Sequence, residues 1–253
     1  MKNSPLLCIL SGVILAVFFI GCDTNVAPED LRKTYQLYGG LNKNLDNDFI
    51  DVTIEMWKDD SIFTEAEIYL GSRPAVFIIP DSLYELTFDA ADSLPAGGYT
   101  LRFVDSPTLD DSLDFTVPGD LSLTAISLPE NRINNGGDPV QIQWSVSLES
   151  DYYVFGAVLR DSIYSGTGYA EITSANSATI PRDAFALSGN VNAPDTGWYY
   201  VYVYAYTGSP ANIYNLPFAM PGGLTENISR IKISGAFGAI VVSPRDSIHV
   251  VVR

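Results

Sequence analysis

From Tyr35 onward, apolar and polar positions alternate every second residue. Ile50, Val52, Ile54 and Met56 alternate with Asp51, Thr53 and Glu55. Ala66, Ile68 and Leu70 alternate with Glu65, Glu67 and Tyr69. The same rhythm runs through Tyr84, Leu86 and Phe88, through Tyr99, Leu101 and Phe103, and through Leu113, Phe115 and Val117. A period of two predicts strands with one face on a core and one in water. Asp59-Asp60, Gly71 to Pro74, Pro80-Asp81, Pro95 to Gly98 and Ser106-Pro107 supply the turns. Further strands are expected at Leu121–Leu128, Val140–Val146, Tyr152–Arg160, Ala178–Ile180, Trp198–Tyr206, Ile228–Ser234, Ala239–Val242 and Ile248–Val252. No helical period is sustained, although Ala184 to Leu187 fits a short helical turn. Short strands without crossover helices predict an all-β protein built from antiparallel sandwiches.

Val117-Pro118-Gly119-Asp120 is the expected boundary between two such units. Charge changes across it: residues 35–118 hold 16 acids and 4 bases, whereas 119–253 hold 11 and 7. Such asymmetry supports two units. The whole chain of 253 residues carries a net charge of −16. An acidic balance of this kind argues against a nucleic-acid partner, since a phosphate backbone needs a basic face.

The first residues read as an address. Lys2 starts a short positive region, Leu6 to Ile20 is apolar apart from Ser11 and Gly12, and Gly21 precedes Cys22. This is the layout of a secretory signal, and the apolar stretch is shorter than the ~20 residues of a spanning helix. Phe19-Ile20-Gly21-Cys22 resembles the lipobox of bacterial lipoproteins, with Phe19 where Leu is usual. The resemblance implies cleavage before Cys22 and lipidation of its thiol. An uncleaved anchor and a secreted chain with a free Cys22 are the alternatives. Residues 1–21 are then the signal peptide, and 22–34 a polar lipidated tether. Cys8 would leave with the leader, so disulfides have no part in the mature fold. The implied place is the bacterial cell envelope, on the outer membrane or cell surface. Asp23 keeps the inner membrane open.

Two further resemblances concern the folded part. Leu128-Pro129, Val140-x-Ile142-x-Trp144, Tyr152 and Gly197-x-Tyr199-x-Val201-x-Val203-x-Ala205 resemble a fibronectin type III module at residues 119–253. The stretch is longer than such modules usually are, with extra loops near Arg182–Asp195 and Ile213–Thr225. Residues 35–118 resemble more faintly an IPT/TIG-type immunoglobulin-like fold, through Ala66 to Gly71, Leu94 to Leu101 and Leu113 to Val117. Together they imply two antiparallel immunoglobulin-like β-sandwiches that serve as binding or spacing modules and carry no catalysis.

The most informative stretch is Trp198 to Tyr206. Alternation puts Tyr199, Val201, Val203 and Ala205 on one face, and Trp198, Tyr200, Tyr202, Tyr204 and Tyr206 on the other. The aliphatic face is expected to point inward. The aromatic row then has two readings. It is either an outward platform for protein or sugar contact, or a sheet face covered by the extra loops or the first domain. Tyr153 and Phe155, or Tyr152 and Val154, would widen it.

Asp46, Asp48 and Asp51 are weak calcium candidates, because their spacing lacks the Gly and distal Glu of an EF-hand. Glycosidase work needs two carboxyls facing across a cleft, which neither Asp59-Asp60 nor Glu65 with Glu67 provides on one strand. His249 is a lone histidine in phase with a strand surface. Asn227-Ile228-Ser229 matches a glycosylation sequon without meaning in a bacterial lipoprotein. These features point away from an enzyme and from any cofactor. They favour a lipid-anchored envelope protein with a binding or scaffolding role through the aromatic face. A glycan-binding lipoprotein is the alternative, and an envelope hydrolase fits least.

Overall fold

The computed structural model describes residues 34–89, 92–128, 133–135, 138–186, 195–223 and 225–251. The leader, Cys22 and the tether up to Lys33 lie outside the described residues. Strands β1 (Tyr35–Asn44), β2 (Phe49–Lys58), β3 (Ser61–Ile62), β4 (Glu67–Leu70), β5 (Arg73–Pro74), β6 (Val76–Ile78), β7 (Leu83–Thr87), β8 (Gly97–Asp105) and β9 (Leu109–Val117) make the first sandwich. One sheet runs β1-β2-β7-β6 and the other β5-β4-β8-β9. The predicted inward residues fill the space between them: Val52, Ile54, Met56 and Leu86 share a core with Ile68, Leu101 and Phe103.

The second sandwich comprises β10 (Leu123–Ser127), β11 (Ile133–Asn135), β12 (Val140–Trp144), β13 (Tyr152–Leu159), β14 (Tyr169–Thr173), β15 (Ser177–Ile180), β16 (Gly197–Gly208), β17 (Ile228–Ser229), β18 (Ile233–Val242) and β19 (Asp246–Val251). Strands β10-β12-β15 form one sheet. In the other, β14 pairs with β13 and β13 with β16. The far edge of β16 pairs with β19 over Gly197–Val201 and with β18 over Tyr204–Gly208. Trp144 is buried between the sheets, its ring 5.6 Å from Tyr153 and 6.2 Å from Phe155. The fold is therefore all-β, with two immunoglobulin-like sandwiches whose sheets are antiparallel at every pairing but two.

Those two pairings, β1–β18 and β11–β19, are parallel. The first of them joins the sandwiches. Strand β18 belongs to the second sandwich, yet Tyr35 to Asn44 align along it from Ile233 to Val242 as ten residue pairs. The sheet β1-β2-β7-β6 thus continues into β18 and β16. Phe237 on β18 meets Phe115 on β9 edge-on at 4.9 Å, so the second sandwich also closes the core of the first. Residues 33–253 form one compact unit, and Val117–Asp120 is the passage from β9 to β10 within it.

The glycines of β18 make this seam possible. Gly235 has φ +138°, and a Cβ there would fall on the Leu37 carbonyl, with its carbon only 2.7 Å away. Only glycine adopts this backbone and admits the neighbouring strand so closely. These glycines also hid the strand: the expected pieces Ile228–Ser234 and Ala239–Val242 are separated by Gly235 and Gly238, yet β18 is continuous. The expected helical turn is a 3₁₀ turn at Arg182–Phe185. Strands β1, β3, β6, β11 and β14 are not among the expected ones, and β5 falls in the expected turn Gly71–Pro74.

Candidate functional site

Strand β16 places its two faces as the alternation predicts. Tyr199, Val201, Val203 and Ala205 lie in the main core. Tyr199 packs edge-on against Phe185 at 5.2 Å, and burial pushes its hydroxyl up to about 12. The opposite face does carry the aromatic row, and Tyr152 and Val154 widen it, standing across from Tyr206 and Tyr204.

The row is not an open platform. Tyr202 and Tyr204 are fully buried. The chain from Gly208 to β17 folds back over them and forms a second hydrophobic cluster with Leu216, Phe218, Val154, Val158, Ile240 and Val242. Phe218 stacks on Tyr204 with ring centres 4.5 Å apart. The Tyr204 hydroxyl donates to the Phe218 carbonyl at 3.2 Å and accepts the Phe218 N–H at 3.0 Å. Burial raises the Tyr204 hydroxyl well above its ordinary range. Tyr200 is half-buried beneath the Arg245 guanidinium at 4.8 Å. Trp198 stands apart and exposed, stacked on His249 at 4.7 Å. The expected contact surface is therefore corrected: its centre is core, because covering two tyrosines with apolar loop residues removes far more apolar surface from water than exposure allows.

A signal for the cover exists in the sequence. Ala211, Ile213, Leu216 and Phe218 are too apolar for a free loop. Gly156, in the middle of β13, leaves the space Phe218 fills; a Cβ there would lie 2.7 Å from the Phe218 ring.

What the cover leaves open is a groove of about 800 Å³ along its outer side, whose lining includes Tyr164, Ile172, Tyr206, Tyr214, Pro210 and Met220. Tyr164, Ile172 and Tyr214 are exposed there, each close to half. Exposed aromatics around a concave surface suit a ligand that presents apolar faces.

No family model matches the chain, and no curated protein is similar to it. Solved structures resemble it only loosely. Fibronectin(III)-like modules of Clostridium thermocellum CbhA align over 85% of this chain and 90% of theirs, at 13% identity and a TM-score of 0.28. Dpr11 IG1 bound to DIP-gamma IG+IG2 aligns over 79% of this chain and 96% of that one, at 7% identity and a TM-score of 0.23. Likeness at this level says nothing of a ligand; the architecture stands on the strand pairing itself.

The calcium candidates do not converge. Asp46 accepts the Tyr202 hydroxyl at 3.2 Å and the Arg245 backbone N–H at 3.0 Å. Asp48 is exposed in the β1–β2 turn with φ +54°. Asp51 lies on the outer face of β2, directly across from Asn42 on β1. Among the described residues no three His, Cys, Asp or Glu side chains form a metal-binding group. Glu65 and Glu67 are exposed on and beside β4, facing no cleft.

Asp51 is nonetheless the most unusual acid among the described residues. It is 3% exposed, and its Oδ1 has no hydrogen-bond partner. Asn42, 1% exposed, is its polar neighbour on β1 and favours the charged carboxylate, though less strongly than burial disfavours it. Asp51 lines a pocket of about 310 Å³ with Thr53, Asp81, Leu83, Glu85, Tyr214 and Asn215. Burial, reinforced by the charge of Glu85, pushes its carboxyl up to about 7. A buried carboxylate without a cation is costly.

The linkage has a definite sign. The folded carboxyl holds its proton to about pH 7, while the unfolded one releases it near pH 4. The folded state binds the extra proton between these values, so this group's contribution falls as pH rises from about 4 through 7. Asp51→Asn removes the charge at every pH. It is expected to stabilise the chain by about 2–4 kcal/mol at pH 8 and by less than about 1 kcal/mol at pH 4. Urea denaturation at the two pH values checks it. Equal effects at both would show that Asp51 ionises normally.

Proposed function

We propose that the chain is a lipid-anchored, non-catalytic binding and scaffolding protein of the bacterial cell envelope. The observation that carries this reading is the β1–β18 seam. It turns two sandwiches that would otherwise hinge at a linker into one stiff body, which is what a scaffold at a membrane requires. A lipid on Cys22 anchors that body, and the polar residues up to Thr34 space it from the bilayer. Contact with an envelope protein falls to the surface beside the covering loop, where Tyr164, Tyr206 and Tyr214 stand around the groove. Glycan binding is the second reading, favoured by those same rings, which match sugar faces.

Cys22→Ser tests the anchor. In a bacterial host fed a labelled fatty acid, the wild-type chain should take up label and sediment with membranes. The Cys22→Ser chain should carry no label and keep its leader. Label on the Cys22→Ser chain, or an unlabelled wild type, would remove the anchored reading.

A further inference from the structure

We propose that the pocket at Asp51 is a receptor for one cationic side chain, the ammonium of a lysine or the guanidinium of an arginine carried by a protein partner. Three observations converge on it. The first is an acceptor without a cation: Asp51 is 3% exposed with only the neutral Asn42 amide across from it, its Oδ1 lacks a full hydrogen bond, and Asp81 and Glu85 line the same pocket. The second is that the described residues supply it no cation. Lys43, Lys58, Arg73, Arg102, Arg230 and Arg245 are each paired with a different aspartate, at 2.5 to 3.6 Å. Among the described residues no basic side chain contributes to the Asp51 shift. The third is access. Tyr214 and Asn215 line both this pocket and the 800 Å³ groove, so a segment lying in the groove reaches the acids at its end. Tyr214 is 51% exposed and lines the pocket with the acids, and an aromatic ring favours a cation.

Other occupants satisfy the site less well. Calcium needs six to eight oxygens closing on one point, and the described acids form no such group. Water leaves the carboxylate charge uncompensated. A donated ammonium brings charge and hydrogen bonds to the same carboxylate.

The proposal rests on the binding reading only in that a partner supplies the side chain; the pocket itself is tested without that partner. The probe is Nα-acetyl-lysine methylamide, titrated into the ¹⁵N-labelled full chain in detergent at 150 mM salt and followed by amide shifts. Nα-acetyl-arginine methylamide and calcium chloride are the parallel arms. The groups facing Asp51 are Glu85 on β7, Asp81 in the turn before it and Tyr214 on the covering loop; the facing β1 positions, Gly40 and Asn42, do not titrate. Saturable shifts are expected at Thr53, Glu85 and Tyr214. Affinity should rise about tenfold from pH 6 to pH 8 as Asp51 loses its proton. Asp51→Asn should weaken binding at least tenfold and abolish the pH dependence, while Asp60→Asn, on an exposed turn, should leave both unchanged. Shifts scattered over the acidic surface and equal in Asp51→Asn would overturn the proposal. So would saturation by calcium with no response to either amino-acid probe. Neither result touches the Cys22 anchor, which stands or falls on labelling.

Discussion

Gly235→Val is expected to prevent stable folding. The substitution places a branched side chain at φ +138° and drives its Cβ into the Leu37 backbone. The strand cannot move away, because β18 is held on its other side by β16 and β17. Relief therefore means opening the β1–β18 ladder. That exposes the edge of β1 and lifts Phe237 off Phe115. The loss should exceed about 4 kcal/mol, a large part of a typical domain's stability. Gly98→Val is the matched control. Gly98 also lies in a strand, but a Cβ there meets nothing within 4 Å, and the change should stay within about 1 kcal/mol. Soluble yield and urea midpoints compare the two. Equal behaviour would mean the seam is dispensable.

Tyr204→Ala should be nearly as severe and separates the two readings of the aromatic row. As a core residue, Tyr204 loses its stack on Phe218 and leaves a cavity, which costs about 3–5 kcal/mol. Its removal also strands the buried Phe218 N–H, whose acceptor is the Tyr204 hydroxyl. Tyr204→Phe isolates that second loss at about 1–2 kcal/mol. Tyr206→Ala, at a half-buried position beside Tyr152, should cost less than Tyr204→Ala. Denaturation midpoints should therefore order as wild type, Tyr204→Phe, Tyr204→Ala. A Tyr204→Ala chain of wild-type stability would restore the row to the surface.

Strands β2, β4, β7, β8 and β9 of the first sandwich were legible because each puts an alternating apolar face on the core, whereas β1, β3, β5 and β6 were not. Alternation around Ile54, Ile68 and Leu101 is a direct imprint of that geometry. The inward side of β16 was legible for the same reason. Two things escaped local patterning. Strand β18 is buried on both faces throughout, so it shows no alternation, and its glycines mimic turns. Its parallel partner β1 lies some 200 residues away in the chain, a separation no local pattern encodes. The fate of the aromatic row depended on where the loop after Gly208 goes, and only the apolar content of Ile213 to Phe218 hinted at it. Asp51 showed the converse. Its alternation with Val52 marks a solvent face, and the covering loop makes that face an interior.

Scanning calorimetry of the chain tests the shared sheet most directly. One continuous core spans residues of both sandwiches, so neither can melt and leave the other intact. A single transition is predicted, with calorimetric and van't Hoff enthalpies equal. Two separated transitions, the first sandwich melting while the second persists, would contradict it and make the β1–β18 seam a contact between independent domains.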